Sequence, residues 1–240
     1  SYLFNFFNFI IKLKWSKPNF IYNYLVFDKF ETFTSKKNLS KAEHLPSILI
    51  KLANNLNLKI NSKDNYFYEI KKKNISHSKK LFDKKIKSQF ILIHLDDKWN
   101  DIIDIEKDFS KELVTFQKKV NKKIVITSNK IKDIYYRSLK KSLRENKKII
   151  FLENLNLPIF ERVIAMSSYS ISCHSGFLVQ ISGSNKTNII DIINKKDLKW
   201  YSCWKPLNTQ HKFVYKSNFN KKNKLQSIFK QIITISNRFR

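Results

Sequence analysis

KKIIFLENLNLPIFERVIAMSSYSISCHSGFLVQISGSNKTNIIDII, Lys147–Ile193, is the stretch whose reading decides the fold. It holds three short apolar runs, Ile149–Leu152 (IIFL), Ser170–Cys173 and Ile189–Ile193 (IIDII). Each is too short for a helix and is bounded by polar loops, the pattern of strands buried on both faces of a parallel sheet. Helical segments separate them, so the order is strand, helix, strand, a tight turn at His174–Gly176, helix, strand. Such alternation implies right-handed βαβ crossovers.

Gly176, one of only two glycines in the chain, falls where a strand gives way to a helix. At that point unpaired amides and the positive end of the helix dipole face outward, which suits a phosphate. A Ser-Gly pair before a helix also serves plain turn and capping chemistry, so both readings stand at this point.

The same rhythm extends in both directions. FILIHL (Phe90–Leu95) reads as a strand, Ile105–Asn121 as a helix, KIVITSN (Lys123–Asn129) as a strand, Lys130–Asn146 as a helix, and Lys224–Phe239 as a closing amphipathic helix. Residues 85–240 therefore read as a Rossmann-like, doubly wound α/β domain with about five strands. Ligands bind such sheets beyond the carboxyl ends of the strands. Those ends carry His94-Leu95-Asp96-Asp97-Lys98-Trp99, Thr127-Ser128-Asn129, Glu153-Asn154 and His174-Ser175-Gly176, which converge on one rim as a ligand cleft.

Residues 1–84 read differently. Tyr22–Phe30 is strand-like, and Ser40–Leu58 is a helix with Ser40 and Glu43 at capping-box spacing and apolar residues recurring at three and four. Pro46 lies in its early turns, and His44 beside it reads as a polar surface residue. Lysine-dense Ile70–Lys87 reads as a linker, with a domain boundary near residue 85. This part is too short for a complete first Rossmann-like domain, so it reads as a partial N-terminal region with its linker.

The 47 Lys and Arg against 19 Asp and Glu give a formal charge of +28. Such a balance ordinarily suggests nucleic acid or an anionic membrane surface. Here the lysines are spread along the whole chain beside many Asn, Ile and Phe, residues of A- and T-rich codons. No Gly-Arg tract, zinc-spaced Cys/His set or RNP-like aromatic motif accompanies them. Solvated lysine faces account for the charge better than a nucleic-acid groove. Cys173 and Cys203, the only cysteines, lack metal or C-x-x-C spacing and indicate a reducing compartment. The opening apolar run of about eleven residues is too short to span a bilayer, which takes ~20.

The C-terminal half resembles the donor-binding domain of the GT-B glycosyltransferases of the heptosyltransferase type, glycosyltransferase family 9. In that family the first strand of the domain leads to a loop ending in Lys-x-Trp or Lys-Trp, matched by Lys98-Trp99. A strand ending in a Thr/Gly-Ser-type turn is matched by KIVITSN. A segment of the form Leu-x-x-Leu/Glu-Leu, a helix, Ala-Asp-Leu-x-Ile and Asp-Thr-Gly is matched without a gap by Leu157–Glu161, Ser167–Ile171 and His174-Ser175-Gly176. Two positions depart: the family's Asp is His174 here, and its His five residues later is Val179.

The resemblance implies a metal-independent, inverting transferase, in agreement with the absence of an Asp-x-Asp motif. It would use no cofactor, taking a nucleotide-diphosphate sugar as donor and a lipid-linked or cell-envelope glycan such as lipopolysaccharide core as acceptor. Lys98, Trp99, Ser128, Asn129, Asn154, Glu161, His174, Ser175, Gly176 and Phe177 would form the donor site. The Ser175-Gly176 turn would cradle the diphosphate, and Glu161 or Asn154 would lie toward the nucleoside. A cytoplasmic protein peripheral on the anionic inner face of the membrane would suit the basic surface. No catalytic base is assigned; Asp28, the one N-terminal acid after an apolar run, reads as structural. Two alternatives stand beside this: a basic α/β module binding nucleic acid through Lys130–Lys148, and a degenerate GT-B protein without turnover.

Overall fold

The computed structural model describes residues 89–102, 109–128, 134–153, 155–206, 209–216 and 224–239. The expected elements at Tyr22–Phe30, Ser40–Leu58 and Ile70–Lys87, the boundary near residue 85, and the candidate residues Asp28, His44, Asn129 and Asn154 lie outside the described residues. Lys199–Lys205 belongs to a compact unit distinct from the sheet domain.

Among the described residues six strands form one sheet: β1 (Phe90–Leu95), β2 (Lys123–Ser128), β3 (Ile149–Leu152), β4 (Ser167–Ser172), β5 (Asn188–Ile193) and β6 (His211–Tyr215). Their order is β3-β2-β1-β4-β5-β6, and every pair is parallel. That is the order of a doubly wound Rossmann sheet, with its reversal of direction between β1 and β4. The helices are α1 (Phe109–Val120), α2 (Ile134–Ser142), α3 (Leu157–Met166), α4 (Gly176–Ser184), α5 (Leu198–Ser202) and α6 (Lys224–Ser236).

The strand period of two sorts the core into two layers. On one face Ile91, Ile93, Ile124 and Ile126 pack with Leu113 and Phe116 of α1, Tyr136 and Leu139 of α2, and Ile228, Phe229 and Ile232 of α6. On the other, Phe90, Leu92 and Val125 pack with Val163 and Ile164 of α3 and Leu178 and Ile181 of α4. Each fully buried side chain of this kind stabilises the fold by about 1.5–3 kcal/mol. A strand such as β1, buried along its whole length, is therefore apolar almost throughout.

Local chemistry sets the ends. Asn121 follows α1 in the left-handed region (φ 48°), the conformation that stops a helix and that Asn tolerates. For α3 the Asn156 side chain caps the Ile159 amide at 3.0 Å, with Pro158 in the first turn. β4 begins at Ser167, three residues before the apolar run at Ser170–Cys173 predicts, and ends at Ser172. Its serines tolerate burial because each finds a partner: Ser167 Oγ donates to the Ile164 carbonyl at 2.8 Å, and Ser170 and Ser182 hydroxyls meet at 3.1 Å. The strand that sequence reading leaves out is β6, an edge strand whose Lys212 is exposed. The helix expected over Lys130–Asn146 is regular only from Ile134 to Ser142; Leu143–Glu145 turns out of it, and 129–133 are outside the described residues.

Candidate functional site

The carboxyl ends of β1 and β4 are neighbours at the point where the strand order reverses, the place at which doubly wound sheets bind ligands. After β1, the Asp96 side chain accepts the Lys98 amide at 3.1 Å and starts a 3-10 turn over Asp97–Asp101. Burial pushes the Asp96 carboxyl up, against the opposing pull of Lys98. The turn throws Lys98 across the crevice, where its Nζ donates to the His174 carbonyl at 2.7 Å. Behind it Lys216, just past β6, donates from Nζ to the Lys98 carbonyl at 3.0 Å.

After β4 the chain passes through Cys173, buried, and then His174, whose φ of 59° lies in the left-handed region. A non-glycine residue there costs about 1–2 kcal/mol. The surrounding bonds hold it: Lys98 on its carbonyl, and Asp191 on its ring. Ser175 is the N-cap of α4, its Oγ accepting the Leu178 amide at 3.4 Å and its carbonyl the Val179 amide at 3.0 Å. The Ser175 amide itself donates to Ser172 Oγ at 3.2 Å. Gly176 and Phe177 supply the remaining amides of the first turn. Apart from its chain neighbours and the helix's own backbone, no heavy atom of the described residues lies within 4 Å of where a Cβ on Gly176 would stand, so the space beside that carbon is open.

Asp191, at the centre of β5, is completely buried and ties this turn to the far edge of the sheet. Its Oδ2 accepts from His174 Nδ1 at 2.7 Å and from His211 Nε2 at 2.9 Å, and its Oδ1 from Ser172 Oγ at 3.0 Å. Burial alone would raise its pKa; the hydrogen bonds from His174 and His211 outweigh that and hold the carboxyl below its usual value. Because an ionised carboxylate only accepts, His174 carries its proton on Nδ1 and His211 on Nε2. The other nitrogen of His211, Nδ1, is buried with no hydrogen-bond partner among the described residues. On β1, His94 Nδ1 meets Thr127 Oγ1 at 3.0 Å, and burial lowers its pKa to about 4, so this imidazole is neutral near pH 7.

The sequence-derived residues divide accordingly. Lys98, His174, Ser175 and Gly176 come together at the crevice, and Ser128 closes β2 in register with Leu95. Trp99 is 1% exposed, its Nε1 donates to the His94 carbonyl at 2.8 Å, and its ring packs on Phe109. It anchors the turn from beneath the rim, because a ring of that size gains more from the core than from solvent. Glu161 is likewise buried, on α3, and the Phe177 ring stacks on Phe160 at 5.7 Å within the second core layer. Asp191, His211 and Lys216 are the residues that sequence reading missed. Asp191 had a signal, a carboxylate inside the apolar run IIDII, since a buried charge needs partners.

Cys173 and Cys203, both buried, are not joined in a disulfide. Among the described residues no group of three or more His, Cys, Asp or Glu is arranged to hold a metal ion, and no helix is long and apolar enough to cross a membrane.

Topology and site together define a Rossmann-like, doubly wound α/β domain whose strand-order reversal carries a basic, helix-capped turn. No protein-family model matches the chain, and no curated protein matches its sequence. Among solved structures it is similar to the E. coli heptosyltransferase WaaC with ADP, at 11% identity and a TM-score of 0.48 over 65% of this chain and 45% of that one. It is also similar to the E. coli ADP-heptose lps heptosyltransferase II, at 9% identity and 0.48 over 69% and 54%. A third is the Methanocaldococcus jannaschii UDP-GlcNAc 2-epimerase in complex with UDP-GlcNAc and UDP, at 15% identity and 0.44 over 76% and 52%. The chain spans about half the length of these structures.

Proposed function

We propose that this domain binds a nucleotide-diphosphate sugar, with the diphosphate against the first turn of α4, and serves as the donor-binding part of a GT-B-type glycosyltransferase. The observation that carries the reading is the turn at the strand-order reversal. There α4 opens toward empty space at Gly176, with the Lys98 ammonium fixed beside it on the His174 carbonyl. Helix dipole, first-turn amides and a lysine together stabilise an anion where each alone does so weakly. The Leu157–Gly176 pattern supports sugar transfer as the chemistry: metal-independent, inverting, and directed to a cell-envelope glycan such as lipopolysaccharide core. In this reading Ser128 and Asn129 belong to the donor site, Glu161 or Asn154 lies toward the nucleoside, and the lysine-rich surface faces an anionic inner membrane leaflet from the cytoplasm.

Titration calorimetry with ADP, UDP and their sugar conjugates tests the reading; saturable binding is expected, and no heat with any of them sinks it. A second reading, donor binding without turnover, is favoured by Val179. The family's His at this position would be a polar group, whereas Val179 is a buried apolar one. Release of free nucleotide from a bound sugar conjugate decides between the two.

A further inference from the structure

Lys216, the residue that follows β6, is buried, with 5% of its surface exposed. An ammonium taken out of water is costly unless it is hydrogen-bonded and offset by an opposite charge. Lys216 has both. Its Nζ donates to the Lys98 carbonyl at 3.0 Å, and its charge lies close enough to the Asp96 carboxyl to oppose the upward push of burial there. β6 stands three places from β1 in the sheet, roughly 14 Å at the usual strand spacing and more than a lysine side chain spans. The turn after β1 and the chain leaving β6 therefore lean toward each other over the ends of β4 and β5.

The main chain of Lys98 is held from both sides. Asp96 Oδ1 accepts its amide at 3.1 Å, and Lys216 donates to its carbonyl. With amide and carbonyl both tied, the backbone at this residue has little freedom, and its exposed side chain is delivered across the crevice to the His174 carbonyl at 2.7 Å. An ammonium carries three donors, so two remain for an anion at the turn. A cation fixed before the ligand arrives loses less freedom on binding than one gathered from solvent.

We propose that Lys216 is a positioning residue of the donor site: through the Lys98 carbonyl it fixes the Lys98 ammonium where the diphosphate binds, without touching the ligand itself. The inference rests on the diphosphate reading above. Burial separates this role from that of a second phosphate contact. Lys98 stands exposed at the crevice, whereas Lys216 lies behind the turn with a donor committed to the main chain. The edge strand β6, which forms no part of the crevice between β1 and β4, thereby acts on the site from a distance. Supporting groups of this kind decide how tightly the contact residue in front of them is placed.

The test is a double-mutant cycle on the full chain, read by calorimetry with ADP, UDP and their sugar conjugates. Lys216→Met keeps the buried stem and removes the ammonium; it should weaken binding by about three- to tenfold, no more than the loss of Lys98 itself. In a Lys98→Met background the same substitution should change affinity by less than about twofold, because the group it positions is already gone. A merely structural effect of Lys216 would act in both backgrounds alike. Should Lys216→Met fail to fold, Lys216→Gln takes its place in the cycle: it keeps a polar tip in the buried site but is one atom shorter and draws back from the Lys98 carbonyl. Unaltered affinity on losing the Lys216 ammonium, or a loss of the same size in both backgrounds, overturns this inference and leaves the diphosphate reading standing. Absence of wild-type binding to every probe removes both.

Discussion

Lys98 and His174 are joined across the sheet's reversal point, ammonium to main-chain carbonyl at 2.7 Å, although they are 76 residues apart in sequence. The bond closes the crevice between the β1 and β4 loops and neutralises the carbonyl's negative end where an anion would approach. Lys98 is exposed, so solvent screens the pair and its loss should leave stability nearly unchanged. Lys98→Met is expected to weaken nucleotide-diphosphate binding by about tenfold, since one charge-assisted contact is lost. Paired calorimetry and thermal melts check this. Unaltered affinity in K98M would mean that the ammonium faces only the turn and not the ligand.

The His94 environment makes a prediction about pH. Its pKa falls from 6.5 to about 4 on folding because burial disfavours the charged ring. Between those values the unfolded chain binds the extra proton, so stability is fully present above about pH 6.5 and declines as pH falls toward 4. The loss from this group approaches about 3 kcal/mol at the acid end. Urea unfolding at a series of pH values should show the slope, and His94→Gln should flatten it while lowering stability at pH 7.5 by losing the contacts to Thr127 and Phe160.

Asp191 behaves in the opposite sense. Its carboxyl is held below the usual value, so the stability it contributes is present above the unfolded carboxylate pKa of 3.8 and is lost only in stronger acid. Three donors converge on it in the interior: His174, His211 and Ser172. Asp191→Ala removes the acceptor that all three share and should cost about 3–5 kcal/mol. Asp191→Asn keeps one accepting oxygen and should cost less, about 1–3 kcal/mol. Denaturant titration of both at pH 7 reads the difference; equal stabilities would show that the surrounding chain relaxes around the missing acceptor.

How far these features were legible beforehand depended on whether a residue's environment was local. The strands β1, β2, β3 and β5 are near-continuous apolar runs because each is covered on both faces, and that leaves a mark in the sequence itself. The turn at Ser175-Gly176 was legible for the same reason, a cap and a glycine at a strand-to-helix junction. β4 and β6 were harder. The serines of β4 are buried through partners on α3, α4 and β5, which no local pattern announces, and β6 is an edge strand with a lysine on its exposed side. Trp99 and its neighbour Lys98 leave one short turn in opposite senses, one to the core and one to solvent, a difference that adjacency in sequence does not reveal. Asp191 and His211 are 20 residues apart and meet only through the β5–β6 pairing, so their partnership belongs to the tertiary fold.

Gly176 separates the demands of the fold from those of the site. Its backbone is not in the left-handed region, and a Cβ added to it meets nothing within 4 Å, so neither strain nor a clash requires glycine there. Folding alone would accept a larger residue, at a change in stability within about 1 kcal/mol, with helix propensity favouring the replacement. A bound diphosphate would not accept it, because the side chain would occupy the open space before the first-turn amides. Gly176→Leu is therefore expected to fold with an unchanged thermal midpoint to within a few degrees and to lose at least about tenfold in affinity for nucleotide diphosphates. Ser175→Ala provides the contrast: it removes the cap on the Leu178 amide and should lower stability by about 1 kcal/mol while leaving the open space intact. If G176L binds nucleotide as the wild type does, the phosphate does not sit at this helix, and the open ground before α4 is only a solvent-filled notch in the loop.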